Sequence, residues 1–142
     1  MPMDHTQARD EMLGLLEAAW QLDADSTNVV LLFEDDARPR PDSGAYAVAA
    51  VRFVDVPRVT LGGENGQKRY TSTGLVTVQI RTPQGDGYTL SDKLSRVARD
   101  AFRGNRSSGG AVFSRVRIKS EGADGTYMLT NVIVDFEYDE VA

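Results

Sequence analysis

The stretch VTVQIRTPQGDGYTLSDKLSRVARDAFRG, residues 76–104, combines a strand, a sharp corner and a helix in direct succession. In VTVQI (76–80) apolar and polar residues alternate, which is typical of a half-buried strand. Further on, apolar residues recur at the helical period, at Leu90, Leu94, Val97, Ala98, Ala101 and Phe102. Gly104 follows at the position where a helix C-cap favours glycine. This stretch therefore predicts an amphipathic α-helix that packs beside a strand of a sheet.

The corner contains Gly85 and Gly87, and a strand followed by a glycine loop and a helix is also the layout of a phosphate site. The dinucleotide fingerprint needs a third glycine that is absent, and Lys93 falls inside the predicted helix rather than in a P-loop. Thr89 and Asp92 have the spacing of a capping box, whose carboxylate would occupy the helix end that a phosphate needs. We therefore predict a structural corner.

The rest of the chain predicts one more helix and several strands. The helix begins after Asp4, with Gln7 as its partner in a capping box, and ends near Leu22. Strand-like runs lie at 28–35, 45–56, 59–80 (two runs around a glycine-rich tip), 111–120 and 126–140. The predicted order is α-β-β-β-α-β-β in a single domain, 1–142, with a long β-hairpin at about 45–81. We predict the α+β class, with a mainly antiparallel sheet and two helices packed on one face.

Alternation along the later strands predicts which residues share a face. The apolar face carries Val76, Val78, Ile80, Val112, Val116, Ile118, Val132, Val134, Phe136 and Tyr138. The opposite face carries Thr77, Gln79, Arg81, Arg115, Arg117, Lys119, Asp135 and Glu137. Because each predicted helix has one apolar stripe, both helices should cover the first face and leave the charged face uncovered.

Composition excludes several classes of protein. The chain has 142 residues, of which 41% are apolar and 26% are charged, so it should fold with a core of its own. No apolar run approaches the length of a membrane helix, and the polar N-terminal residues predict neither a signal peptide nor an anchor. The absence of cysteine excludes disulfides and thiolate metal sites. A pI of about 4.8 disfavours binding to a nucleic acid duplex.

Charge is segregated along the chain. Residues 1–56 carry 11 acids and 4 bases, residues 57–119 carry 4 acids and 12 bases, and residues 120–142 carry 6 acids and no base. Either folding brings these blocks together on a mixed surface, or the protein has one acidic and one basic patch. The second arrangement would suit a protein that binds copies of itself.

No set of residues predicts catalysis, a cofactor or a metal ion. Glu34, Asp35 and Asp36 are consecutive acids, but side chains of adjacent extended residues point to alternate sides and rarely converge on one ion. His5 is the only histidine, and no serine lies in a nucleophile-elbow motif. We interpret His5 as an exposed first-turn residue and Trp20 as a core anchor, and we expect no enzymatic activity.

Two groups of residues are candidates for assembly. The predicted subunit interface comprises Arg96, Arg99, Arg103, Arg115, Arg117, Lys119, Asp135 and Glu137. The alternative for the strand residues among them is cross-strand pairing inside one subunit. Loops that we predict to be mobile until assembly contain Gly62, Gly63, Gly66, Lys68, Asn105, Gly109 and Gly110.

Three runs of sequence in a fixed order resemble a known family. They are VTLGG (59–63), the stretch 76–104 quoted above, and NVIVDFEYDE (131–140). Their shared features are Leu-Gly-Gly at a strand end, the Thr-Pro-x-Gly-x-Gly corner, a Phe-Arg-Gly helix ending and a final aromatic-x-Tyr-acid strand. From roughly Tyr46 to Glu140 the chain resembles the tail terminators of long, flexible-tailed phages.

This resemblance implies assembly rather than a reaction. Tail terminators form a hexameric ring that caps the tail tube, stops its growth and presents a surface to the head connector. The expected partners are therefore copies of the chain, a tail tube protein and a head–tail connector protein. The expected location is the head-proximal end of the virion tail, after assembly in the host cytoplasm. The resemblance implies that the genome passes through such a ring without sequence-specific contact, and we expect no membrane partner.

Two alternatives stay open at this point. One is another virion part of similar fold, such as a head–tail joining protein or a tube subunit. The other is a small enzyme or ligand-binding domain that uses the loop 33–42.

Overall fold

The structure is a computed structural model that describes residues 4–35, 37–41, 44–61, 68–85 and 87–141. Its elements are α1 (His5–Leu22), β1 (Val30–Phe33), β2 (Tyr46–Leu61), β3 (Lys68–Pro83), α2 (Thr89–Phe102), β4 (Val112–Asp124) and β5 (Tyr127–Val141). The predicted element order and the α+β class are confirmed. Among the described residues, neither helix is long and apolar enough to cross a membrane.

The five strands form one sheet in the order β1-β2-β3-β5-β4. Strands β2 to β5 pair antiparallel, and β1 joins the edge of the sheet in parallel with β2. The long hairpin of β2 and β3 is confirmed, while its glycine-rich tip, residues 62–67, lies outside the described residues. Strand β2 has a register shift between Val54 and Arg58, where Pro57 cannot donate a ladder hydrogen bond.

The helix ends agree with the sequence only in part. Asp4 caps α1, because its Oδ1 accepts a hydrogen bond from the backbone N–H of Gln7 over 2.7 Å. The Thr89–Asp92 capping box of α2 is wrong: Tyr88 is the N-cap residue, and no side chain caps that end. Thr89 already lies inside the helix, one residue too far along to act as the cap.

The core lies between the helices and one face of the sheet. Helix α1 buries Ala8, Met12, Leu16 and Trp20, and α2 buries Leu94, Ala98, Ala101 and Phe102. The sheet contributes the predicted apolar residues of β3 and β5, which are Val76, Val78, Ile80, Val132, Val134, Phe136 and Tyr138. Helix α2 lies over β3, β5 and β4, whereas α1 packs beside it and reaches β2. We call this side of the sheet the covered face and the other side the open face.

The predicted faces of β4 need one correction. Val112 pairs with Glu137 on the open face, and Phe113 pairs with Phe136 on the covered face, which reverses the predicted orientation of Val112. The cause is a bulge between Ser114 and Arg117, where Arg115 and Val116 lie opposite the single residue Val134, so one extra residue shifts the alternation. A single inserted residue changes the face of everything before it, so strict alternation predicts β4 correctly only beyond the bulge.

The open face is also less bare than predicted. Leu32, Tyr46 and Val48 are buried in a small second cluster, against which Tyr127 packs. The Tyr127 hydroxyl donates a hydrogen bond to the Pro41 carbonyl over 3.3 Å, so the proline-rich tract lies against this corner of the sheet. The prediction of an uncovered face is therefore wrong for the part of the sheet near β1.

Candidate subunit interface

The corner before α2 has the geometry of a turn. Gly85 has a φ of 101° and Gly87 has a φ of 79°, values that residues other than glycine rarely adopt. The Gln84 N–H donates to the Thr126 carbonyl over 2.8 Å, which ties the corner to the turn before β5. Asp92 occupies the first turn of the helix. The structural role predicted for both glycines is confirmed.

The other isolated candidates have structural partners. The ring of His5 stacks on Phe53 with 4.3 Å between ring centroids, so this exposed residue also packs on the sheet. The indole N–H of Trp20 donates to the Val29 carbonyl over 2.9 Å, and the side chain is fully buried, which confirms a core anchor. Within the described ranges, no three histidine or acidic side chains converge in a way that could hold a metal ion.

Glu34 is held by an arginine. The two terminal guanidinium nitrogens of Arg52, Nη1 and Nη2, donate to the Glu34 carboxylate, and Nη2 lies 2.6 Å from Oε1. This hydrogen bonding holds the pKa of the Glu34 carboxyl below its usual range. Of the three consecutive acids, Glu34 therefore forms a bidentate ion pair that joins the end of β1 to Arg52 of β2. Asp36 lies outside the described residues.

The charged residues of β4 and β5 partly neutralise one another inside the subunit. Asp135 Oδ2 lies 3.4 Å from Arg117 Nη1 and 3.8 Å from Arg115 Nε. Lys119 Nζ lies 3.5 Å from Glu121 Oε1, in an adjacent part of the same strand. Cross-strand pairing inside one subunit, the alternative to a subunit interface, therefore applies to Arg115 and Arg117. Because these two arginines share the single carboxylate of Asp135, this part of the surface keeps an excess of positive charge. Exposed pairs of this kind contribute only about 0–1 kcal/mol each.

The bases of α2 lie on two sides of the helix. Arg96 lies beside Lys93 in a groove between α1 and α2, where Lys93 Nζ is 3.7 Å from Asp25 Oδ1. Arg99 and Arg103 line the opposite side, towards β4, and Arg99 Nε donates to Asp100 over 3.0 Å. In the described part of the chain, no carboxylate lies within ion-pair distance of Arg103.

A basic groove separates α2 from the edge strand β4. Arg99, Arg103 and Arg115 surround it, and Phe113, Val116 and Ile118 form its apolar floor. Its volume is about 450 Å³, and the described residues that line it include no acid. We call it the arginine groove. Arg115 borders it at the bulge, where this residue has a positive φ of 48°, and its Nε lies 3.8 Å from Asp135 Oδ2.

The groove between the helices differs in charge. It is lined by apolar residues of both helices, with Asp23 and Asp25 after the end of α1 and with Lys93, Arg96 and Asp100 on α2. Leu22 also lines this groove and is 87% exposed, the most exposed of the large apolar residues described. Sequence periodicity alone placed Leu22 at a helix end and gave no signal that it projects from the surface.

The loop 105–110 is held by hydrogen bonds that the sequence did not reveal. Asn105 Nδ2 donates to the Ala101 carbonyl over 2.9 Å, and the N–H of Gly109 donates to Glu11 Oε1 over 2.5 Å. Burial raises the pKa of Glu11, but hydrogen bonds from the Gly109 backbone and the Ser107 hydroxyl, among others, outweigh it and leave the pKa below its ordinary value. The mobility of this loop stays a prediction, and these contacts argue against it.

The fold is shared with proteins of known structure. No protein-family model matches the chain, and the search of curated proteins finds no relative. One solved chain, whose name states no function, has a TM-score of 0.63 at 15% identity, with 95% of each chain covered. Another, from a structure described as the virion of a native gene transfer agent (GTA) particle, has a TM-score of 0.56 at 15% identity, with 96% of this chain and 99% of that chain covered. At this identity the similarity shows a common fold.

Proposed function

We propose that the chain is a structural virion protein whose subunits form a ring that caps a phage-like tail tube. The observation that carries this proposal is the fold shared with a chain of a gene transfer agent virion over 96% of this chain. The three sequence runs that resemble tail terminators support the same class independently of the fold. In this proposal the ring ends tail growth and offers one surface to a tail tube protein and another to a head–tail connector.

The distribution of surface groups is compatible with a ring. A closed ring needs two different patches that meet head to tail between neighbouring subunits. Helix α1 extends towards the β2 side of the sheet, and the arginine groove lies beside β4, at the other edge. The arginine groove is thus a basic patch on one side of α2, and Asp23 and Asp25 at the end of α1 are acids on its other side. We propose no catalytic, cofactor or metal site for this chain.

The test is native mass measurement combined with negative-stain imaging of the purified protein over a range of concentrations and salt. We expect a closed oligomer, six subunits being the number that the resemblance implies, visible as a ring. Unlimited polymerisation would favour a tube subunit instead. A chain that stays monomeric at every concentration and gains thermal stability with a metal ion or nucleotide would favour a ligand-binding domain and overturn the proposal.

A further inference from the structure

A projecting leucine and the turn behind it form a rigid, acidic feature of the surface. Leu22 is the last residue of α1 and is 87% exposed, and Asp23 and Asp25 follow it on either side of Ala24. We call residues 22–25 the Leu22 knob. An exposed apolar side chain flanked by two carboxylates can fit a surface that has an apolar centre and a basic rim.

The knob is fixed in place before any partner arrives. The buried Ser26 hydroxyl donates to the Trp20 carbonyl over 2.7 Å, and the Asp25 N–H donates to Asp23 Oδ1 over 2.8 Å. The N–H of Thr27 donates to the Asp23 carbonyl over 3.0 Å, which closes the turn. A surface feature that is already ordered loses little conformational entropy when it binds, and this favours its use in an interface.

The arginine groove has the complementary chemistry. Its floor of Phe113, Val116 and Ile118 is apolar, and 43% of Ile118 remains exposed. Arg99 and Arg115 each share a carboxylate of their own subunit, whereas Arg103 has none among the described residues. The groove can therefore receive one apolar side chain at its centre and carboxylates at its rim. This is the arrangement of the Leu22 knob.

The geometry points to a contact between two copies of this chain, in which the Leu22 knob of one subunit enters the arginine groove of the next. Helix α2 separates the two features, because the knob lies at the groove between α1 and α2 and the arginine groove lies between α2 and β4. The knob and the groove are therefore two distinct patches on either side of α2, and a head-to-tail ring requires two distinct patches. This inference rests on the proposed function and names the surfaces that would form its subunit interface.

The interhelical groove is the weaker receptor for the same knob. It contains Lys93 and Arg96, but Asp100 and the knob's own Asp23 and Asp25 outnumber these two bases, and Lys93 already pairs with Asp25 over 3.7 Å, so incoming carboxylates would meet a lining that is negative on balance. The arginine groove has no acid among the described residues of its lining. Like charges brought together at an interface disfavour association, and this selects the arginine groove.

Cysteine cross-linking tests this contact directly, because the chain contains no cysteine of its own. The variants Ala24→Cys and Ile118→Cys, carrying tags of different size, are produced together and oxidised mildly. We expect a disulfide-linked heterodimer as the main product. The matched control replaces Ile118→Cys by Tyr88→Cys, an exposed position before α2 (61% exposed), and should give little cross-linking with Ala24→Cys.

A second variant measures how much the knob contributes. Leu22→Gln should raise the dissociation constant of self-association at least about tenfold, as loss of a central apolar anchor does, without changing subunit unfolding. Tyr88→Gln, a change of another exposed large side chain, should leave association unchanged. If the protein forms rings but the two cysteines do not cross-link, and if Leu22→Gln assembles normally, this contact is wrong and the proposed ring stands. Absence of any ring would overturn the proposed function, and this inference with it.

Discussion

The covered and open faces of the sheet belong to the same strands but have different surroundings. On the covered face of β3 and β5, Val76, Val78, Ile80, Val132 and Val134 are fully buried under the helices. On the open face, alternate residues such as Leu75 and Ile133 are only half-buried among charged and polar neighbours. Stability of the subunit is therefore concentrated on one face. The open face and the β4 edge can carry charged groups for assembly without disturbing the core.

The largest effect on stability should come from Gly74, where the covered face has no room for a side chain. A Cβ atom there would lie 2.1 Å from the Arg52 carbonyl oxygen and 2.6 Å from the Phe136 ring. Gly74→Ala should lower the free energy of unfolding by about 3 kcal/mol or more, because the backbone of β2 cannot yield without breaking the ladder. Urea denaturation of the monomer measures this loss.

Gly14 provides the matched control for Gly74. It is exposed in α1, and a Cβ atom there meets nothing within 4 Å. Gly14→Ala should raise the free energy of unfolding by up to about 1 kcal/mol, the difference in helix propensity. Equal losses for the two variants would show that packing at Gly74 is not the cause.

A second test compares the two faces of β3 with residues of similar size. Ile80 is fully buried on the covered face, and Ile80→Ala should lower the free energy of unfolding by about 2–5 kcal/mol. Leu75 on the open face is half-buried, and Leu75→Ala should cost about 1 kcal/mol. Denaturant titration of both variants as monomers gives the two values. A cost at Leu75 equal to that at Ile80 would mean that the open face is covered in solution.

Most of the fold could be predicted because its signals are local. Periodicity predicted α2 from Leu90 to Phe102, and a positive φ of 74° at Gly104 agrees with the predicted C-cap. The predictions that failed concern features that depend on a single inserted residue or on contacts between residues distant in sequence. The bulge near Arg115 reverses the face of Val112, and neither composition nor alternation indicates where a bulge occurs. The parallel pairing of β1 likewise depends on a connection that leaves no local pattern.

The candidate interface was predictable in composition but not in arrangement. The sequence showed that residues 57–119 are basic, and the structure places five of these bases in two grooves on either side of α2, namely Lys93, Arg96, Arg99, Arg103 and Arg115. The contact of Glu11 with the loop 105–110 joins residues 98 positions apart, and no spacing rule connects them. For the same reason, the exposure of Leu22 becomes visible only when its neighbours are in place.

A third prediction concerns this link between α1 and the loop. Because the folded pKa of Glu11 is lowered, its ionised form stabilises the fold at neutral pH, and that contribution is lost as pH falls from about 5 through the folded pKa. Glu11→Gln should therefore weaken the decline of stability with falling pH, by a modest amount because the side chain is partly exposed. Urea midpoints at several pH values measure the slope, with Glu17→Gln, an exposed acid of the same helix, as the control.

Hydrogen exchange at Gly109 separates the two interpretations of this loop. If the Glu11 contact orders it, the Gly109 amide should be protected in the free subunit and exchange faster in Glu11→Gln. Fast exchange of Gly109 in the unmodified monomer would instead support the loop mobility that its composition predicts. The glycine-rich composition of 105–110 would then describe its behaviour better than its contacts do.

Replacing Arg115 and Arg117 by Glu should change the stability of the monomer least among these variants, while it should change the extent of self-association strongly. Arg115 and Arg117 both lie near Asp135, with 75% and 39% of their side chains exposed, so the double reversal to Glu removes two weak pairs and adds repulsion. We expect the free energy of unfolding of the monomer to fall by about 1 kcal/mol at most. The oligomer fraction should fall much further, because Arg115 also borders the arginine groove, and high salt should weaken association of the unmodified protein in the same direction.

Native mass measurement across a salt series distinguishes these two effects of the reversal. A charged interface loses strength as screening increases, since exposed charges interact over only about 8–10 Å at ordinary ionic strength. An interface held by Leu22 and the apolar floor of the arginine groove should instead persist in salt and fail in Leu22→Gln. If the Arg115, Arg117 double reversal assembles normally at every salt concentration while Leu22→Gln does not, apolar contact alone holds the subunits together, and the charges around the groove only orient the approaching subunit.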